Sequence, residues 1–482
     1  MLSLLLLGCV SLVCGAGTHA VDGVCLPDDT DADSPADADS DTGDSVPTDT
    51  SDTSDSVDTS DTSDTSDTSD TGDTGAAVLQ VYLLAGQSNM DGYAWVPGLP
   101  PSDRVSDPRV PLYWSGWGGF RDLQPASYGG AVYVGPEVTL GRALADAGVP
   151  AVVVKHAVGG TDLANYWFPG VTPDDATAGD GFAVLADSVD AAAAELDAAG
   201  QPWEWAGFVW MQGESDSLDL DMAYAYADNL TGLVAAVRAI TATPELPVVV
   251  GMISRDSLWT YGDLVRDAET AVAAADPYVV TVETDDLPRN ELDPSHYDGV
   301  SNRVLGRRFA RALLEGADVP AGDDAPQAAL TFSGGSSDSD FTGTCGWEFT
   351  IATPIEVTDL GAYGTSYIGT PTEVGIWDAD ANLVVRGTVP SWYEAPATWR
   401  KSVWYIAIDP VRLEPGTYRL GLVSWTGDAD RYLNDASGTF AEGITYTAAV
   451  YAEGYWLTYP SNSFVSTTVS FVGPDFLFTP AP

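Results

Sequence analysis

The sequence predicts a parallel α/β domain followed by an antiparallel β sandwich, both behind an extended acidic leader. Three observations carry this. From residue 77 to 318, apolar runs alternate with helical patterns. After about residue 326, short β-rich runs are separated by Gly, Pro and Asp turns. From residue 22 to 75 there is almost nothing apolar to bury. Near-continuous apolar strands with helices between them are the signature of a parallel sheet covered on both faces.

The chain has 482 residues, enough for two or three domains each with its own core. It opens MLSLLLLGCVSLVCGAGTHA, an apolar run followed by small residues, as in a secretion signal over 1–20. A basic n-region is absent, which leaves open a start further upstream. Leu6-Leu7-Gly8-Cys9 resembles a bacterial lipobox, which would place a lipid on Cys9. The alternative is simple cleavage near Ala16 or Ala20, leaving Cys25 and Cys345 as a potential disulfide in an oxidising compartment. Either way the expectation is a secreted or cell-surface bacterial protein, with outer-membrane anchoring if Cys9 is acylated. Residues 21–76 are Asp, Ser, Thr, Gly, Ala and Pro almost throughout and end in DTSDTSDTSDTSDTGDTG. Such a segment repels itself and reads as a disordered, extended tether. Its aspartate spacing fits neither an EF-hand loop nor a GGxGxDxUx repeat.

The balance of 19 basic against 71 acidic residues argues against nucleic acid or an anionic membrane surface as partner. With four cysteines, no CxxC and no Cys/His cluster, zinc is not expected, and no cofactor is called for. No apolar run beyond the start is long enough to span a bilayer.

Strands are expected at 78–85, 150–157, 206–211, 246–253 and 278–283, and helices at about 136–148, 182–199, 220–240, 263–275 and 300–315. These make up one domain over 77–318. The region 326–482, with runs such as WEFTIAT, EVGIWDA and TYRLGLVSW, alternates as an antiparallel sandwich does.

Chemistry collects after these strands. The first ends in Gly86-Gln87-Ser88-Asn89, the second in Val158-Gly159-Gly160-Thr161, and the third in Gln212-Gly213-Glu214-Ser215-Asp216. Asp293-Pro294-Ser295-His296 follows the fifth, just before the last helix. The carboxyl ends of parallel strands share one edge of a sheet, where open α/β folds build their sites. A serine nucleophile needs a base, and a histidine base needs a carboxylate to fix its tautomer. Of the three histidines, His19 lies in the signal and His156 inside an apolar strand, where a hydrogen-bonded core histidine is the ordinary role. His296 is left as the base. Asp293, three positions before it, reaches Nδ1 if the two share a tight turn. For the oxyanion, the natural donors are the Ser88 N–H, a backbone N–H of Gly159 or preferably Gly160, and the Gln212 amide. Glu214 is either a second or alternative orienter of His296 or a loop brace, and Asn89 joins the substrate-binding set.

LLAGQSNM with Ser88, VGGTDLANYW with Gly159 and Gly160, WMQGESD with Gln212 and Glu214, and DPSHYDGVSNRVLGRRFA with Asp293 and His296 together resemble the SGNH hydrolase superfamily. Within it they are most similar to the sialate O-acetylesterase group and to carbohydrate esterase family 6. The resemblance covers about 78–316. It implies a three-layer α/β/α, flavodoxin-like fold and a metal-free serine esterase. Gln212 stands where the superfamily usually has Asn, as the sialate-esterase-like group tends to. Met90 stands where a GxSxG elbow has its second Gly, which argues against an ordinary α/β-hydrolase lipase. The β region, with Gly346-Trp347-Glu348-Phe349, Val374-Gly375-Ile376-Trp377 and Gly473-Pro474-Asp475-Phe476, is similar to a poorly characterised bacterial surface module (DUF4082-like). That second resemblance implies no activity.

Tyr93, Trp95, Trp114, Trp117, Tyr166 and Trp167 follow the first two strands. They either stack on sugar rings at the site or cover the core. The aromatic residues of the β region pose the same choice, with sandwich core the commoner role. With no long apolar lid, an O-acetylated polysaccharide or sialic acid is preferred as substrate over a fatty acyl ester. The expected function is an exported serine acetylesterase acting on carbohydrate. The alternatives are a tethered glycan-binding or adhesion protein with a silent hydrolase domain, and an esterase of the same fold acting on non-carbohydrate esters.

Overall fold

The computed structural model describes residues 18–21, 24–27, 77–170, 178–322, 324–337, 341–364, 370–391, 397–425, 431–465 and 468–481, the first two segments for backbone only. Cys9, the Cys25 side chain and nearly all of the acidic tether lie outside the described residues.

Seven strands form the central sheet: β1 (Leu79–Gly86), β2 (Asp107–Trp114), β3 (Gly119–Leu123), β4 (Ala151–Ala157), β5 (Trp203–Met211), β6 (Val248–Gly251) and β7 (Val279–Val282). Their order is β7-β6-β5-β1-β4-β2-β3, parallel except for the β2–β3 hairpin at one edge. Without that hairpin the order is that of a flavodoxin-like sheet. Neither β2 nor β3 is expected from the sequence. Pro108 and Pro111 make β2 read as a loop, because proline cannot donate to a ladder; it is tolerated because β2 joins the parallel ladder only through Leu112–Trp114.

Along β1 the side chains alternate between two cores. Val81, Leu83 and Ala85 pack with residues of α3 (Asp180–Ala199), α4 (Leu220–Ile240) and α5 (Gly262–Ala275), while Tyr82 and Leu84 pack with α2 (Glu137–Asp146) and α6 (Gly299–Glu315). Burial on both faces is why these strands read as unbroken apolar runs. A short helix, α1 (Ser88–Asp91), follows β1 directly. A two-stranded ribbon of β8 (Arg289–Asn290) and β9 (Asp293–Tyr297) precedes α6.

The C-terminal region is a sandwich of antiparallel sheets. Five strands run in the order β10 (Gln327–Ala328), β20 (Pro474–Pro480), β12 (Ile355–Tyr363), β16 (Val403–Leu413), β15 (Thr398–Arg400). Six run in the order β14 (Leu383–Val389), β13 (Thr372–Asp378), β17 (Gly416–Ser424), β11 (Gly343–Ile351), β18 (Ile444–Glu453), β19 (Asn462–Phe464). Trp347, Phe349, Val374, Ile376 and Phe476 fill the space between them, so these aromatic residues are core. Cys345 lies in the same core, fully buried, unbridged among the described residues, its thiol pushed up by burial. Among the described residues no helix is long and apolar enough to cross a membrane.

Candidate active site

In this strand order the crevice falls beyond the carboxyl ends of β1 and β5, which are neighbours, with Gly86 opposite Met211. A Cβ on Gly86 would stand 2.0 Å from the Met211 carbonyl oxygen, and its φ of +149° is one that side chains rarely adopt. Only glycine lets the chain leave β1 hard against β5 and turn into α1. Ser88 is thereby presented as the first residue of α1. As a first-turn residue it has no intrahelical acceptor for its N–H.

Ser88, Gly159, Gly160, Tyr93, Glu214 and His296 line one cleft of about 390 Å³. Gly159 is the glycine beside Ser88: a Cβ there would lie 3.4 Å from the Ser88 Cβ and 3.0 Å from the Tyr93 hydroxyl. Gly160 has φ +72° and open space where a side chain would be. The N–H groups of Gly159 and Gly160 have no backbone acceptor among the described residues.

His296 Nδ1 and Asp293 Oδ2 are 2.7 Å apart. The two sit on β9 rather than in a tight turn, with Pro294 and Ser295 between them. The His296 ring is stacked on Tyr93, centroids 4.4 Å apart and planes within 10°. Of the six aromatic residues flagged in the sequence, Tyr93 alone lines this cleft, whereas Trp114 and Trp167 are core.

Glu214 does not pair with His296. Its Oε1 accepts from Asn89 Nδ2 at 2.6 Å, and its buried Oε2 has no hydrogen-bond partner. Burial holds this carboxyl above the usual carboxylate range, against the Asn89 hydrogen bond and the charge of His296. Asn89 also donates to the Ser295 carbonyl at 3.4 Å and accepts from the Tyr297 N–H at 3.2 Å. It is a cross-brace between the serine turn and the histidine ribbon, not a group offered to a substrate.

Gln212 likewise departs from expectation. Its side-chain amide faces the Gln87 Oε1 (3.1 Å), the Thr161 carbonyl (3.0 Å) and the Asp216 carboxylate (2.6 Å), and it is fully buried. Two protons shared among three acceptors leave none for an oxyanion. Gln212 instead ties together the loops after β1, β4 and β5. Asp216, which the sequence offers only as the last letter of WMQGESD, receives the Leu163 and Ala164 N–H groups and is pushed up to about 6 by burial. Tyr226 on α4 donates to the Gln212 carbonyl at 2.7 Å. No local sequence signal marks Tyr226, because its partner is 14 residues away across a turn.

His156 is a core residue, its Nδ1 2.8 Å from Ser115 Oγ and its ring lowered to about 4 by burial. Lys155, beside it, is fully buried and donates to Glu137 and to the carbonyls of Asp91 and Ala126, anchoring the end of α1. Among the described residues no group of three or more His, Cys, Asp or Glu is placed to hold a metal ion.

A flavodoxin-like domain that gathers a turn-borne serine, two glycines and a carboxylate-paired histidine on one sheet edge is a hydrolase domain of the SGNH kind. Residues 78–315 match the family described as carbohydrate esterase, sialic acid-specific acetylesterase, and form a domain of that family. A probable carbohydrate esterase of Arabidopsis thaliana is 32% identical over 106 residues, 22% of this chain and 39% of that protein. The chain therefore spans well under two thirds of that relative. Among solved structures, one from Arabidopsis thaliana is 22% identical, covering 49% of this chain and 98% of its own, with a TM-score of 0.40. A carbohydrate acetylesterase from Xanthomonas citri is 17% identical, covering 70% and 80%, with a TM-score of 0.35. The assignment rests on the family match and the site geometry, not on these structural likenesses.

Proposed function

We propose that the protein is an exported serine esterase that removes O-acetyl groups from carbohydrate. The observation that carries this is the single cleft shared by Ser88, the Gly159–Gly160 turn and His296, with Asp293 held on the far nitrogen of the imidazole. Ser88 Oγ attacks the acetyl carbonyl carbon while His296 Nε2 takes its proton. The developing oxyanion faces the Ser88 and Gly160 backbone N–H groups. As the ester C–O bond breaks, the imidazolium returns the proton to the departing sugar oxygen. Water, deprotonated by His296, then attacks the acetyl-serine and releases acetate. Asp293 fixes the tautomer and stabilises the imidazolium. The family match supports a carbohydrate ester as substrate, and the open, polar-rimmed cleft suits a short acyl group on a bulky alcohol. The N-terminal apolar run and the acidic tether support export.

The test is hydrolysis of a chromogenic acetate and of acetylated xylan and sialic acid by the full chain, beside Ser88→Ala and with a chelator. Activity should vanish with Ser88 and survive the chelator. Retained activity in Ser88→Ala would end this reading.

One observation favours a second reading, a surface glycan binder: Tyr455 and Trp456 on the sandwich are 71% and 77% exposed. Glycan retention by a catalytically silent full chain would support it.

A further inference from the structure

The β sandwich touches the hydrolase domain at its most sensitive point. Asp298 caps α6, its Oδ1 accepting from the Ser301 N–H at 2.8 Å, and it stands two residues after His296. Arg400, from the end of β15 in the sandwich, closes on the same carboxylate with two prongs. Nε reaches Oδ2 at 2.6 Å and Nη2 reaches Oδ1 at 2.8 Å, with Ser301 Oγ a further 3.2 Å contact. Both side chains are withdrawn from water, at 12% and 3% exposure. A bidentate, desolvated guanidinium–carboxylate pair fixes direction as well as distance.

The hairpin turn that presents Arg400 is itself unusual. Lys401 and Ser402 have φ of 47° and 67°, the left-handed pair of a two-residue turn that normally takes Asn-Gly. Such strain persists only where surroundings over-determine it. The surroundings here are the histidine ribbon: the Lys401 N–H donates to Glu291 Oε1 at 2.9 Å, in the turn between β8 and β9. Behind the clamp, Gly299 approaches Gly98 so closely that a Cβ on either would lie 2.8 Å from the other's Cα, and Val300 packs with Val403, Tyr405 and Leu477. About one turn further along α6, Arg303 pairs with Asp359 of the sandwich, both buried.

We infer that the sandwich is a working part of the active site: Arg400 is a positioning residue that, through Asp298, sets where β9 holds the His296 imidazole. This rests on the catalytic reading of Ser88, His296 and Asp293. On the hydrolase side the ribbon is held by Asn89, so Arg400 supplies the opposing grip. A base displaced by a fraction of an ångström loses rate, not substrate affinity.

The experiment compares Arg400→Ala, Arg400→Lys, Asp298→Asn and the Arg400→Ala/Asp298→Asn double variant in the full chain. Phe349→Ala in the sandwich core serves as a stability control. Chromogenic acetate hydrolysis gives kcat and KM, and the ring signals of His296 are followed by NMR, the chain having only three histidines. Arg400→Ala should lower kcat roughly 10- to 100-fold with KM within about twofold. Arg400→Lys should fall between, and the double variant should lose no more than Arg400→Ala alone. Phe349→Ala should lower the melting temperature and leave kcat unchanged. A folded Arg400→Ala with kcat within about twofold of native would overturn the inference. If the native chain hydrolyses no acetyl ester, the functional reading fails. Positioning is then read from the NMR signals alone: His296 sharp in the native chain and broadened in Arg400→Ala supports it, and identical signals overturn it.

Discussion

The two carboxylates near His296 have different predicted costs, and removing each in turn separates them. Asp293 contacts Nδ1 at 2.7 Å but is 48% exposed at its side chain. Glu214 is buried, bonded to Asn89, and faces His296 only through space. In Asp293→Asn the amide can turn its oxygen to Nδ1, but the negative charge that stabilises the imidazolium is gone. In a fully buried triad the corresponding change costs roughly 10⁴-fold in kcat. Water around Asp293 softens that here, so a loss of roughly 10²–10³-fold is expected, about 3–4 kcal/mol of barrier. In Glu214→Gln the new Oε1 still accepts from Asn89, and the lost charge assistance amounts to roughly 1 kcal/mol, a factor of about five. The new amide nitrogen lands where Oε2 has no partner, so that variant should lose stability by about 1–3 kcal/mol while losing no more than about fivefold in rate. The assay is kcat for acetate release, read beside urea unfolding of each variant. If folded Glu214→Gln loses as much rate as Asp293→Asn, the assignment of Asp293 as orienter is wrong.

Gly86→Ala drives a methyl onto the Met211 carbonyl in a conformation alanine resists. It should destabilise by about 2–4 kcal/mol in denaturant unfolding, and a change below about 1 kcal/mol would contradict the close approach of β1 and β5. The buried His156 is neutral in the fold, so the unfolded chain binds the extra proton between about pH 4 and 6.5. Its contribution is therefore present above pH 6.5 and lost as pH falls towards 4, by at most about 3 kcal/mol. His156→Gln should flatten stability against pH across that window relative to the native chain, and parallel curves would refute the burial effect.

Much of the α/β scaffold is legible because each strand is buried on both faces and each helix on one, patterns set by local periodicity. The two strands of the central sheet that periodicity does not reveal, β2 and β3, form an edge hairpin where prolines and exposed polar residues carry no such pattern. At the site, residue types and order place Ser88, Gly159, Gly160, Asp293 and His296 on one edge, since parallel strands end there whatever the details. What the sequence cannot convey is the direction of a side chain within a loop. Gln212 and Asn89 look like substrate donors because both carry free amides on paper, and only the folded chain shows those amides already engaged, by the distant acceptors Gln87, Thr161, Glu214 and Ser295 and by Asp216 in Gln212's own loop. Arg400 was invisible for the same reason: its partner lies 102 residues away in another domain.

The division of labour follows from electrostatics. An oxyanion is best met by donors that need no reorganisation, and a backbone N–H in a rigid turn moves less than any glutamine or asparagine side chain. A side-chain amide in such a site is better used to hold the turn. Gln212 does this by gripping three loops at once, and Asn89 by fastening the serine turn to the histidine ribbon. The same logic explains why Glu214 and Asp216 are buried at a cost in ionisation: each receives hydrogen bonds that lock a loop, and a carboxyl lifted by burial remains a good acceptor whether or not it is charged. With Arg400 reaching in from the sandwich, the segments that carry Ser88, Gly160 and His296 are each tied to a neighbour by a buried polar contact. Two of the tightest of these contacts, both 2.6 Å, join residues more than 100 positions apart, Asn89 to Glu214 and Arg400 to Asp298.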